Sequence, residues 1–82
     1  MVNADTSRKT TALTRLAVVQ ADIDRLEAER VALVARALRW DATWAEIATA
    51  LAVSPQAAHR RFRHAHYNTA TGKGWLEPPL PL

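Results

Sequence analysis

The chain has 82 residues, a formal charge of +3 and no cysteine. That length accommodates one small domain, too small to bury much of its own surface, so a partner or metal often supplements such a core. Lack of cysteine excludes disulfides and cysteine-based zinc sites and fits a reducing cytoplasm. No apolar run approaches the ~20 residues of a membrane span, and the N-terminus lacks a secretory h-region, so the sequence predicts a soluble, intracellular protein.

The pI is near 10.2, and the charge is unevenly placed. Between Ala52 and Trp75 there is no acidic residue, while Arg60, Arg61, Arg63, Lys73 and three histidines lie there. Between Leu16 and Glu46 the balance is slightly acidic. Only the C-terminal half is therefore a candidate polyanion-binding face.

In chain order, residues 1–10 are polar and lack apolar spacing, which predicts a flexible arm. Residues 11–40 contain no Gly or Pro and are rich in Ala, Leu, Arg and Glu, which predicts one long helix. Ala12, Leu16, Val19, Ile23, Leu26, Arg30, Leu33, Ala37 and Trp40 step by threes and fours, a heptad seam with Arg30 as its polar interruption. Two short helices can cover only the C-terminal half of such a rod, around Val34 to Leu38. Leu16, Val19, Ile23 and Leu26 are left as a candidate interface with a second copy.

Within 43–66, Thr43 and Glu46 form a T-x-x-E capping box opening one short helix. Ser54 followed by Pro55 is an N-cap with proline at the first helical position, opening another. Only Ala52 and Val53 separate that cap from the first helix, which ends near Leu51. Ile47, Ala48, Leu51, Val53, Ala58 and Phe62 fall on one side, as a two-helix core requires. The second helix is expected to run to His66 or Tyr67. Trp40 and Trp44 bracket the bend before this pair and read as core. Residues 68–82 read as an extended C-terminal tail, with prolines at 78, 79 and 81 favouring polyproline II. Trp75, Leu76 and Leu80 are candidates to dock it on the body.

The stretch Trp44 to Phe62 resembles the helix-turn-helix of bacterial DNA-binding proteins, especially the short WAEIGxxLGVSxQAAxxRF class. The resemblance covers about a quarter of the chain. It implies an all-α fold: a long N-terminal dimerisation helix, then a helix-turn-helix, then the tail. Ala48 fits the small residue that packs between the two helices. Ala52 departs from the glycine usual in the turn, where positive φ carries no steric cost for glycine. Pro55 stands where Arg or Gln is common, which moves base contact to Gln56, His59 and Arg60. Gln56 suits adenine and Arg60 guanine. Ser54, Arg61, Arg63 and Lys73 are the candidate phosphate contacts, which set register on the duplex.

Other chemistry finds little support. His59, His64 and His66 lack the i, i+4 spacing of a helical zinc pair. Thr71-Gly72-Lys73-Gly74 is too short and wrongly placed for a phosphate loop. No catalytic grouping is present, so no enzyme, metal, cofactor, small-molecule ligand or membrane partner is expected. The sequence predicts a sequence-specific double-stranded DNA-binding homodimer of the cytoplasm (nucleoid), either a transcriptional regulator or a nucleoid-associated protein. Two alternatives stay open: a protein-interaction module, and a recombination or conjugation accessory factor within a larger complex.

Overall fold

The computed structural model describes residues 4–77. Their order is α1 (Ala4–Arg39), α2 (Trp44–Leu51), α3 (Pro55–Phe62), β1 (Ala65–Tyr67) and β2 (Gly74–Leu76). With 36 residues, α1 is about 54 Å long at about 1.5 Å per residue and sets the long dimension of the molecule. It begins at Ala4, so the flexible arm expected over residues 1–10 is corrected: residues 4–10 are helical. Once nucleated, a helix gains one hydrogen bond per residue added, and no breaker stands before Thr11. Asp5 in the first turn and Arg36 and Arg39 in the last complement the helix dipole. Exposed pairs along the rod add a few tenths of a kcal/mol each, roughly: Gln20 with Asp24 at 2.9 Å, Asp22 with Arg25 at 3.5 Å.

The core sits at one end of the rod. Val31 and Val34 of α1 pack with Ile47 and Ala48 of α2 and with Ala58 and Phe62 of α3. Ala48 and Ala58 allow α2 and α3 to approach closely, and the larger Val31, Val34, Ile47 and Phe62 fill the space toward α1. Ala32 and Ala35, also buried, extend the covered surface around α1. Asp41 makes the bend out of α1 in the left-handed region, at φ 67°. The Asp41 N–H donates to the Leu38 carbonyl and the Ala42 N–H to the Ala37 carbonyl, closing the helix as a Schellman turn.

Beyond α3 the chain departs from the all-α expectation. The helix stops at Phe62 rather than running to His66. Ala65, His66 and Tyr67 instead pair antiparallel with Leu76, Trp75 and Gly74. Residues 68–73 turn between the strands, so the extended tail expected from residue 68 is, as far as Glu77, a hairpin. Asn68 organises that turn: its side-chain oxygen accepts from the Ala70 and Thr71 N–H groups at 2.8 and 3.2 Å. Strand pairing and packing on α1 override the helical propensity of Arg63 and Ala65, the context dependence typical of strands. Trp75 and Leu76 remain about half exposed in spite of this docking. Leu80 and the prolines at 78, 79 and 81 lie outside the described residues.

Trp40 also differs from expectation. Its bulk predicts a core position, yet it is 78% exposed. It follows the last residue of α1, and the left-handed turn at Asp41 carries the chain away from its face. Trp44, by contrast, is half-buried against the core. Among the described residues no helix is long and apolar enough to cross a membrane.

Candidate nucleic-acid interface

The α2–α3 pair is fixed from both ends by its own sequence. The Thr43 hydroxyl accepts from the Glu46 N–H at 3.1 Å, and the Glu46 carboxylate accepts from the Thr43 N–H at 3.0 Å. The backbone N–H and then the hydroxyl of Thr43 hold the Glu46 carboxyl below the usual carboxylate range. At the far end of α2, the Val53 N–H donates to the Ala48 carbonyl at 3.1 Å and the Ala52 N–H to the Thr49 carbonyl at 3.2 Å. This second Schellman turn requires Ala52 at φ 58°, ψ 40°. Ser54 then caps α3, its Oγ accepting from the Ala57 N–H at 3.1 Å, and Pro55 starts the helix where no N–H is needed.

An alanine in the left-handed region costs roughly 1–2 kcal/mol. Glycine removes that strain and adds back roughly 0.5–1 kcal/mol of unfolded-chain entropy. Ala52→Gly should therefore stabilise the fold by about 0.5–1 kcal/mol, a rise of ~2–8 °C in Tm. A thermal melt that moves downward would show that Ala52 makes a contact the turn depends on.

On α3, Ala58 and Phe62 face inward, and Phe62 is only 2% exposed. Two guanidiniums lie against its ring, Arg30 from α1 at 5.7 Å and Arg61 at 5.2 Å from the centroid. Gln56, Arg60 and Arg63 are exposed. His59 is exposed as well, but its ring is held edge-on to Trp44, with centroids 5.1 Å apart at 86°. Six of the seven candidate contacts, Ser54, Gln56, His59, Arg60, Arg61 and Arg63, thus lie on α3 or its cap. Arg61 spends part of its reach on Phe62, and the Ser54 oxygen is engaged, although its hydroxyl proton can still be donated.

Lys73 stands apart. It belongs to the hairpin, whose Gly74 lies against Ala28 and Ala32 of α1, whereas α3 packs at Val31 and Val34. The structure does not place Lys73 on α3. The other two histidines also find local partners: the His64 carbonyl accepts from the Glu77 N–H, and His66 stacks on Trp75 and meets the Glu77 carboxylate at 2.8 Å.

Two features escaped the sequence. One is the contact of Arg30 and Arg61 with the Phe62 ring, for which the polar break in the α1 seam is the available signal. The other is an open apolar groove of about 470 Å³ between α1 and α2, lined by Leu26, Leu33, Val34 and Ala37 on one wall and Ile47 and Leu51 on the other. Its α1 wall continues the seam. Leu13, Leu16, Val18, Val19, Ile23 and Leu26 are each 44–60% exposed, so the apolar stripe runs uncovered along the N-terminal half of α1.

No family model matches the chain, and no curated protein and no solved structure matches it.

Proposed function

We propose that the chain is a sequence-specific double-stranded DNA-binding protein that acts as a homodimer, with α2, the Ala52–Ser54 turn and α3 serving as a helix-turn-helix. The observation that supports this most is the outward face of α3. Gln56, Arg60 and Arg63 project from a helix whose opposite face is fixed in the core by Ala58 and Phe62. A short rigid helix with amide and guanidinium donors outward, and no acid from Ala52 to Trp75, suits the major groove. The role is that of a transcriptional regulator or a nucleoid-associated protein, acting in the cytoplasm at the nucleoid.

Binding to a duplex at several salt concentrations tests the reading. Affinity should fall steeply with salt because phosphate contacts release counterions. A flat salt dependence, or no binding, would overturn it. Reading and holding separate by mutation. Gln56→Ala and Arg60→Ala should each cost about 1–3 kcal/mol on the preferred site and much less on random DNA. Arg63→Ala, further along the helix, should weaken both similarly and flatten the salt slope by about one unit. Equal losses on specific and scrambled duplexes for Gln56→Ala and Arg60→Ala would mean that α3 holds DNA without reading it.

The exposed α1 stripe and its groove favour one second reading, a protein-interaction module or accessory factor that recruits another protein through α1. A wild-type chain that is monomeric and binds DNA weakly would favour it.

A further inference from the structure

We propose that two copies pair through α1 in antiparallel orientation, centred near residue 21, with the N-terminal half of each α1 lying along the α1–α2 groove of the other. This rests on the homodimer reading above and fixes the arrangement of the two copies. The first argument is complementarity of shape. The uncovered half of α1 presents Ala12, Leu13 and Leu16, and the near end of the groove offers Leu26 and Leu51, with the aliphatic stem of Lys9 passing over Leu33. Only an antiparallel copy brings the bare half of one rod to the grooved half of the other. In this register Leu16 meets Leu26 of the second copy, Val19 meets its Ile23, and Ala12 leaves room for its Arg30.

Charge selects the same arrangement. Neither Arg15 nor Glu29 makes an ion pair among the described residues, and this register sets each Arg15 opposite Glu29 of the second copy, twice over. Asp22 then approaches its own copy at the dyad, but Arg25 already neutralises it at 3.5 Å. At the ends Arg8 passes Arg36, whose guanidinium is turned over the Tyr67 ring at 5.3 Å. A parallel, in-register pair would instead set Asp22 against Glu27 twice. Sliding the antiparallel pair by one heptad toward the C-termini would set Arg15 against Arg36 and Asp22 against Glu29. Sliding it the other way pairs Arg15 with Asp22 but brings Lys9 onto Leu26 and leaves most of the α1–α2 groove uncovered, so charge disfavours the first shift and apolar burial the second.

The dyad of an antiparallel pair is perpendicular to the plane of the two rods, so it keeps both α3 helices on the same side of that plane. A parallel pair would put them on opposite sides. Between Val31 and Val34, where α3 packs, the rod is about 17 Å from residue 21 at about 1.5 Å per residue, placing the two α3 helices about 34 Å apart along the rods. Successive major grooves on one face of B-DNA are separated by about 34–36 Å.

The natural chain has no cysteine, so Leu16→Cys and Leu26→Cys give clean probes. Under mild oxidation each variant alone should remain uncrosslinked, because like positions in this register are about 15 Å apart, beyond the reach of a disulfide. The mixture should give a covalent heterodimer as its main product. Efficient self-crosslinking of Leu16→Cys would show parallel pairing and overturn the proposal while leaving the homodimer intact. A wild-type protein that sediments as a dimer while the mixture fails to crosslink would overturn the register. A monomer at tens of micromolar would overturn the homodimer as well. If the mixture crosslinks but the locked dimer binds no duplex, the pairing stands and the DNA reading falls.

Discussion

Ile23→Asp together with Leu26→Asp should leave a folded monomer with sharply reduced DNA affinity, the largest functional effect expected of any exchange in this chain. Both side chains lie in the uncovered part of α1, 44% and 54% exposed in the single chain, so the exchange costs the monomer little. In a dry interface between two copies, four unpaired carboxylates cost several kcal/mol in total, more than a short helical seam returns. Two half-sites bound together gain from effective concentration, and a monomer forfeits that gain, so affinity should drop by far more than one contact's worth. Sedimentation and a duplex titration on the same preparation check both halves. A double variant that remains dimeric would place the interface elsewhere. One that becomes monomeric yet keeps its affinity would separate self-association from DNA binding.

Gly74→Ala should be the more damaging of the two glycine exchanges for stability. A Cβ built at Gly74 would sit 2.6 Å from the Ala28 carbonyl oxygen and closer still to the Ala32 amide nitrogen. Both neighbours are helix backbone and cannot yield as a side-chain tip would. The strand must lift off α1, which exposes the buried Ala32 and breaks the packing that holds the hairpin. Overpacking of this kind costs about 1–3 kcal/mol or more, and 1 kcal/mol corresponds to roughly 4–8 °C of Tm in a domain this small. Thermal melts of Gly74→Ala and of Gly72→Ala make the comparison informative. Gly72 has φ +74°, but a Cβ there would meet only the tip of the Arg36 side chain at 3.6 Å, so its cost is backbone strain alone. Equal melting shifts for the two would mean that strand β2 does not depend on the close approach to α1.

What could be read in advance was whatever short-range chemistry decides. The Thr43–Glu46 box and the Ser54–Pro55 start are local hydrogen-bonding and dihedral facts, and both occur where the residue types demand. The long helix followed from an unbroken run of helix formers, although its start did not, because polar residues without apolar spacing can still propagate a helix. The hairpin was hidden for the opposite reason. Ala65–Tyr67 and Gly74–Leu76 are too short to show alternation, and the meaning of Gly74 lies in Ala28 and Ala32, more than forty positions away. Trp40 shows the remaining gap: hydrophobicity tells what a side chain prefers, while the bend at Asp41 decides whether anything arrives to cover it. On α3 the outward residues were legible from the inward pair Ala58 and Phe62, but the engagement of His59 by Trp44 and of Arg61 by Phe62 needed the packed helices.

The bare stretch of α1 also has a dynamic consequence. Amides around Val31–Ala35 lie under α2, α3 and the hairpin, so their exchange with solvent requires opening of much of the domain. Amides from Arg8 to about Glu27 are held by intrahelical bonds alone, without the tertiary packing that supplies most helical stability. α1 is one helix in geometry and two in energetics. Its N-terminal turns should exchange quickly in a single chain; with two copies paired as proposed, their protection should rise with protein concentration while that of the core does not.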